Sequence, residues 1–198
     1  MEDLYLRNLI INYILIPSLR LLYSIDYDNI RMGVSERNIC ARLAHHMENT
    51  MRDYDKFNNQ GLFDRYFVDV EYNRMGNGDV KRYENSEHRD ITMVSDLLIQ
   101  SRGEPRNLLA VEMKRSGNKK GVKTDIERLI SIVSAPESGS HHNCVYDTLL
   151  GAFIKYSKTK LRIDLFEAKD GHGAPCGYIL LKRVKNDRVL DVIETRIL

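Results

Sequence analysis

Two neighbouring apolar segments that each carry an acidic residue constrain the fold of this chain most. Residues 92–100 and 107–114 are short, apolar and separated by a polar stretch containing Gly and Pro, which predicts two β-strands joined by a turn. Folding this pair symmetrically about its turn places Asp96 opposite Glu112. The two-residue period of a strand puts Lys114 on the same face as Glu112. Three charged groups therefore converge where a half-buried strand would carry apolar side chains, which is costly unless something compensates.

The converging charges have two physical explanations. Two carboxylates about 4 Å apart repel by roughly 1 kcal/mol in water and by about 4 kcal/mol at an effective dielectric constant near 20. Either one carboxyl is protonated or a divalent cation lies between the two, and an all-oxygen ligand set favours Mg²⁺ or Mn²⁺. Lys114 would then hold or activate a water molecule beside the metal. The alternative is that Lys114 only forms a salt bridge with Glu112 or Asp96 on an exposed face of the sheet.

A third acid, Glu36, lies at the start of a predicted helix that Ser35 caps and that runs to about Arg52. Glu36 precedes Ile39 and Cys40 by three and four positions, so it shares the stripe of the helix that we expect to be buried. A carboxylate at this position can reach a metal site on the neighbouring sheet. Alternatively, it only stabilises the first turn through the helix dipole.

Basic residues are concentrated locally, although the formal net charge of the whole chain is only +2. The segment 114–123 contains Lys and Arg but neither Asp nor Glu, and it includes two glycines. Such loops are suited to contacts with phosphate groups, which give affinity without reading sequence. A second basic run, at 155–162, is explained equally well as a solvated loop. The residues predicted to bind nucleic acid are Arg102, Arg115, Lys119, Lys120 and Lys123.

The N-terminal segment is rich in Leu and Ile, but polar residues and a proline interrupt it before an uninterrupted apolar span of 18 residues is reached. We expect one or two short amphipathic helices broken near Pro17, with residues 1–34 forming a packing or dimerisation arm on a compact domain of residues 35–198. The pattern predicts a cytoplasmic protein with no membrane segment. Three cysteines far apart in the sequence give no disulfide framework and suit reduced thiols: Cys40, Cys144 and Cys176.

The remaining pattern predicts helix, several strands, helix and strand, which is typical of an α/β protein with a mixed sheet flanked by helices. The expected pieces are a helix at 124–134 with Ile126, Leu129, Ile130 and Val133 on its apolar face, and strands or short helical pieces at 66–73, 80–83, 147–156, 161–168, 177–184 and 189–198.

At Asp96 and the run Glu112-Met113-Lys114, the chain resembles the PD-(D/E)XK nuclease superfamily, also called restriction-endonuclease-like. The signature of that superfamily is an acid on one strand, a variable gap, and then acid–any residue–Lys on the next strand. Ser95 stands where the signature usually has Pro. The resemblance implies a core of helix, three strands, helix and strand, and residues 35–156 fit that order. Residues 68–74, 101–103 and 107–109 resemble a group of uncharacterised bacterial members of this superfamily.

The resemblance implies a Mg²⁺- or Mn²⁺-dependent endonuclease that hydrolyses phosphodiester bonds of DNA. Asp96, Glu112 and the carbonyl of Met113 would bind the metal, Glu36 would complete the metal shell, and Lys114 would orient or polarise the attacking water. A homodimer through the N-terminal arm would supply two active sites for cutting both strands. The alternative is a catalytically silent module of the same fold that binds nucleic acid or a protein through the basic loop within a larger assembly.

Overall fold

The computed structural model of the protein describes residues 2–71, 82–84, 90–102, 106–134, 147–184 and 189–197. The helices are α1 (Glu2–Leu9), a π-helical segment (Ile10–Leu15), α2 (Ile16–Ile25), α3 (Tyr27–Met32), α4 (Glu36–Asn58) and α5 (Val122–Val133). The strands are β1 (Tyr66–Val70), β2 (Arg82–Glu84), β3 (Asp90–Thr92), β4 (Leu97–Ser101), β5 (Arg106–Arg115), β6 (Asp147–Thr148), β7 (Gly151–Tyr156), β8 (Lys160–Lys169), β9 (His172–Arg183) and β10 (Leu190–Ile197).

The main sheet is mixed and has eight strands, in the order β1-β4-β5-β7-β8-β9-β10, with β6 also pairing with β5. Strand β5 is parallel to β6 and β7, and the other neighbours are antiparallel. The parallel pair β5–β7 requires a crossover, which α5 supplies. Strands β2 and β3 form a separate two-stranded sheet. The predicted mixed α/β architecture, with a sheet flanked by helices, is therefore confirmed.

The two faces of the sheet are covered by different helices. Leu97, Ile99, Val111 and other residues of that parity pack into the larger core, together with α1–α4. Leu98 and Ala110 alternate with them and pack into a smaller core with α5. Because side chains alternate along a strand, even-numbered positions around the motif project toward α5.

Helix α4 begins as the sequence predicts and ends later. The hydroxyl of Ser35 accepts a hydrogen bond from the backbone N–H of Asn38 at 3.2 Å, which caps the first turn. The helix continues six residues past the predicted end at Arg52, to Asn58. The reason is Asp55, a buried acid whose carboxylate accepts hydrogen bonds from the backbone N–H groups of the loop that follows α4. Because this polar residue lies on the buried stripe, the apolar periodicity stops before the last two turns of the helix.

The N-terminal helix is not broken near Pro17, contrary to the sequence prediction. Residues Asp3–Ile25 run as one helix through the π-helical segment, and the N–H of Ile16 bonds to the carbonyl of Ile11. The wider turns lie directly before Pro17, which has no N–H to give to the helix. This helix is long and apolar enough to cross a membrane, with a mean hydropathy of 1.3, but 56% of its most apolar window is buried inside the protein.

Several strand boundaries differ from the sequence prediction. Strand β1 ends at Val70, and Glu71 then takes a left-handed conformation with φ of 52°. Strand β9 begins at His172, five residues earlier than predicted. Cys40 and Cys176 are free and buried. The predicted turn at 76–78 and Cys144 lie outside the described residues.

Candidate active site

Asp96 and Glu112 meet at the end of the β4–β5 pair. The ladder pairs Leu97 with Val111, and one further step in this register sets Asp96 opposite Glu112. This is the pairing that the symmetric hairpin predicts. Both side chains belong to the parity that projects toward α5. The charge of Arg128 acts on both carboxylates, and the charge of Lys114 acts on Asp96.

Each of the two carboxylates is anchored through one oxygen. Asp96 Oδ2 accepts a hydrogen bond from the backbone N–H of Met113 at 2.7 Å. Glu112 is buried, and its Oε1 accepts a hydrogen bond from Arg128 Nη1 at 2.6 Å. The second oxygens, Asp96 Oδ1 and Glu112 Oε2, accept no hydrogen bond from the residues that the structure describes. One oxygen of each acid is thus fixed.

Helix α5 contributes two residues that the sequence reasoning missed, Asp125 and Arg128. Asp125 Oδ2 lies 2.9 Å from Lys114 Nζ. Arg128 Nη1 also donates to the carbonyl of Val94 at 2.8 Å, and its Nη2 lies 3.6 Å from Asp125. The sequence does carry a signal, because Asp125 precedes the buried Leu129 by four positions and so shares its face of the helix.

The observed buried face of α5 is rotated slightly from the predicted one. Leu129 and Val133 are buried as expected, together with Ile132. Ile126 and Ile130 are only half-buried. The rotation brings Asp125 over β5 and toward Lys114.

Glu36 joins the site from the other side, at the first turn of α4. Its Oε1 accepts hydrogen bonds from the backbone N–H of Arg115 at 2.9 Å and from the amide of Asn118 at 3.3 Å. Its Oε2 lies 3.7 Å from Lys114 Nζ. Glu36 therefore fixes the end of β5 and the loop after it, and contacts the lysine rather than the other two acids.

The site holds an excess of negative charge. Lys114 and Arg128 face four carboxylates, which leaves a formal charge of −2 when all are ionised: Glu36, Asp96, Glu112 and Asp125. Burial, followed by the charge of Asp96, raises the pKa of Glu112 well above its ordinary value despite the guanidinium of Arg128. Burial also raises the pKa of Asp96, although the N–H of Met113 opposes the shift.

Lys114 remains a cation in this arrangement. Burial alone would lower its pKa, but the hydrogen bond and charge of Asp125, together with Glu36, outweigh burial and raise it above the ordinary value. A lysine of this kind donates hydrogen bonds and does not take up a proton.

The donor chemistry of the site fits a divalent cation. The carboxylates of Asp96 and Glu112 supply oxygen ligands close to each other, and a cation would relieve the unneutralised charge. Among the described ranges, no group of three or more His, Cys, Asp or Glu side chains is arranged to hold a metal ion, so Glu36 does not form a ligand set with Asp96 and Glu112.

The residues predicted to bind nucleic acid are separated in the structure. Arg102 lies at the opposite end of the β4–β5 pair, roughly 20 Å from Glu112 at the usual rise of a strand, and forms an ion pair with Asp69 at 3.2 Å. The guanidinium of Arg115 donates to the carbonyl of Val34 at 2.7 Å. Lys119 and Lys123 line a cleft beside the site, and Lys120 is exposed next to it.

No family model, curated protein or solved structure matches this chain.

Proposed function

We propose that this chain is a Mg²⁺- or Mn²⁺-dependent nuclease that hydrolyses phosphodiester bonds of DNA. The observation that carries the proposal is the register of the β4–β5 ladder, which sets Asp96, the residue before β4, opposite Glu112 on β5, with Lys114 two residues further along the same face of β5. The order α4, β1, β4, β5, α5, β7 is also the order that the resemblance to PD-(D/E)XK nucleases implies.

The proposed metal ligands are Asp96, Glu112 and the carbonyl of Met113. A bound divalent ion would act as a Lewis acid toward the phosphate and its attacking water. Asp96 and Glu112 are already oriented, because the N–H of Met113 and the guanidinium of Arg128 each hold one of their oxygens. This arrangement leaves one oxygen of each acid for the ion.

Lys114 is proposed to hold the attacking water or a phosphate oxygen through its ammonium group. Its contact with Asp125 at 2.9 Å keeps it charged and restricts its position. Glu36 would act indirectly, by fixing Arg115 and the loop that follows. Lys114 must be protonated to donate hydrogen bonds in this role, which agrees with its raised pKa.

The partner and location are also part of the proposal. We expect a cytoplasmic homodimer on DNA, formed through the helical arm, where Leu4, Tyr5 and Tyr13 are largely exposed. The rest of the arm packs into the larger core, which supports a role for this apolar helix inside the protein.

Incubation of the protein with plasmid, single-stranded DNA and RNA under Mg²⁺ and Mn²⁺ tests the proposal. We expect DNA cleavage that Lys114→Gln abolishes, while Lys182→Gln, a change of the same charge on the distant strand β9, leaves it unchanged. Calorimetry with Mn²⁺ should detect a site that Asp96→Ala loses. Cleavage that persists in Lys114→Gln would contradict the mechanism.

The ion pair between Arg128 and Glu112 favours a second candidate, a catalytically silent nucleic-acid- or protein-binding module. A guanidinium at 2.6 Å already neutralises the central acid of the motif. If this ion pair replaces the metal, the wild-type protein will bind nucleic acid in EDTA but show no heat of Mn²⁺ binding.

A further inference from the structure

A cleft of about 730 Å³ lies between α5 and the loop that joins it to β5. We call it the basic cleft. Among the described residues, its lining includes the cations Arg115, Lys119, Lys123 and Lys155 and no acidic side chain. Lys155 lies on β7, Arg115 on β5, Lys123 on α5 and Lys119 in the loop between β5 and α5. Folding of the chain therefore brings these four cations together.

The lysines supply most of the free charge of the basic cleft. Arg115 is held by the carbonyl of Val34, and Lys123 lies 3.6 Å from Glu127, a contact on the exposed surface of α5. Lys119 is exposed, and Lys155 is half-buried with its ammonium 5.3 Å from the ring centre of Phe153. Cations placed around a concave surface raise the local concentration of an anionic ligand.

The loop that forms one wall is held in place by hydrogen bonds within the loop and to β7 and α4. The N–H of Ser116 donates to the carbonyl of Tyr156 at 2.7 Å, and the N–H of Asn118 donates to the carbonyl of Arg115 at 3.0 Å. The side chain of Asn118 bonds to Glu36 and accepts from the N–H of Lys120. The wall is therefore preorganised, which lowers the entropic cost of binding.

The floor of the basic cleft is apolar. Val122 and Ile126 are half-buried and pack against the smaller core. A rim of ammonium groups around an apolar floor suits a ligand that has both anionic groups and flat or apolar parts. Phosphates joined by sugars and bases have this composition, whereas a free inorganic anion would gain nothing from the floor.

The basic cleft adjoins the candidate active site through the chain itself. Arg115 follows Lys114 on β5, and Ile126 follows Asp125 on α5. We propose that the basic cleft binds the phosphodiester backbone of a nucleic acid strand and directs it toward Asp96 and Glu112. This assignment rests on the proposed function for its direction but requires neither a metal ion nor cleavage.

Fluorescence anisotropy in EDTA, with a labelled single-stranded oligonucleotide and a matching duplex at several KCl concentrations, tests the assignment. The triple variant Lys119→Gln/Lys123→Gln/Lys155→Gln should bind at least about tenfold more weakly. Its salt slope should fall by roughly 2 to 3, since each lost phosphate contact lowers the slope by about 1. The control is Lys56→Gln/Lys169→Gln/Lys182→Gln, which removes the same charge at exposed positions outside the lining and should bind as the wild type does.

The results distinguish the proposal about the basic cleft from the proposal that the protein is a nuclease. Weaker binding by the triple variant supports the basic cleft even if the wild type cleaves nothing. Equal losses in both triple variants, or no binding by the wild type, would overturn it even if the wild type cleaves DNA. Displacement of the oligonucleotide by poly-glutamate at equal charge would also overturn it, by indicating an acidic protein partner. If the triple variant unfolds, Lys119→Gln/Lys123→Gln, which changes only exposed side chains, decides the question.

Discussion

Arg128 Nη1 lies 2.6 Å from Glu112 Oε1 and 2.8 Å from the carbonyl oxygen of Val94, so one guanidinium ties α5 to β5 and to the segment that precedes β4. Glu112 is 1% exposed, and its neighbours Asp96 and Asp125 repel its charge. The ion pair is therefore the principal compensation for a carboxylate in the interior of the protein.

Removing only one partner of this pair should be strongly destabilising. We expect Arg128→Met to lower the free energy of unfolding by about 3 kcal/mol, because Glu112 would be left buried without its cation. Arg128→Met/Glu112→Gln should recover most of that loss, since neither side chain then carries a charge. Urea unfolding of the wild type, both single variants and the double variant measures the coupling. Additive losses in the double variant would show that the two side chains do not stabilise each other.

Asp96→Asn should stabilise the metal-free protein above neutral pH. The pKa of Asp96 is raised, so the folded state binds its proton more tightly than the unfolded state does. The stability of the wild type is therefore highest below the ordinary pKa of an Asp and decreases as the pH rises through the raised one. An amide keeps the acceptor for Met113 and carries no charge.

The expected gain from Asp96→Asn is a rise in Tm of roughly 2–4 °C at pH 8, the shift that about 1 kcal/mol produces in a chain of this size. Added Mn²⁺ should raise the Tm of the wild type and leave that of the variant unchanged. Thermal unfolding at pH 5 and pH 8, with and without Mn²⁺, measures both effects. A variant less stable than the wild type at pH 8 would mean that the carboxylate stabilises the apo protein.

The β4–β5 part of the site could be predicted because it depends on local pairing. Counting outward from the turn sets Asp96 opposite Glu112, and the observed register agrees from Leu97 onward. The ladder is irregular between Ile99 and Gln100, on the side of the turn, so the irregularity does not change the register at the site.

The α5 part of the site could not be predicted in the same way. Asp125 and Arg128 are three residues apart and resemble a surface ion pair of a helix. Their role depends on how α5 is rotated and how closely it approaches the sheet. The approach depends on residues far along the chain, such as Gly173, which lies against Ile130 of α5 and has no side chain to keep the helix away. A single-sequence pattern contains no information on that approach.

The contact between the N-terminal helices and α4 should depend on pH through Asp26. Burial acts to raise the pKa of Asp26, but hydrogen bonds from Arg42 at 2.8 Å and His46 at 2.6 Å outweigh burial and lower it. A lowered pKa means that the stabilisation is complete above the ordinary pKa of 3.8 and is lost as the pH falls through the lowered one.

Asp26→Asn should therefore destabilise the protein by about 2 kcal/mol at pH 7, the usual contribution of charge-assisted hydrogen bonds. The difference from the wild type should shrink as the pH falls below 4. Asp28→Asn is the control, because Asp28 pairs with Arg31 on the exposed surface of α3 and its loss should cost less than about 0.5 kcal/mol. Urea unfolding across this pH range measures both variants, and a loss that does not depend on pH would exclude the ionised carboxylate as its cause.

The close approach of β9 to α5 should make Gly173 irreplaceable. A Cβ at this position would lie 2.1 Å from the carbonyl oxygen of Ile130 and 2.8 Å from a methyl group of Val133, so α5 would have to move away from the sheet. We expect Gly173→Ala to cost about 3 kcal/mol, as severe overpacking does, and to displace the helix that carries Arg128. Gly171→Ala is the matched control two residues away: its φ of 81° gives a strain of about 1–2 kcal/mol, but nothing lies within 4 Å of the added carbon. Thermal unfolding of both variants distinguishes packing from backbone strain. A loss in Gly173→Ala no larger than that in Gly171→Ala would contradict the prediction that the close approach of β9 to α5 determines the cost.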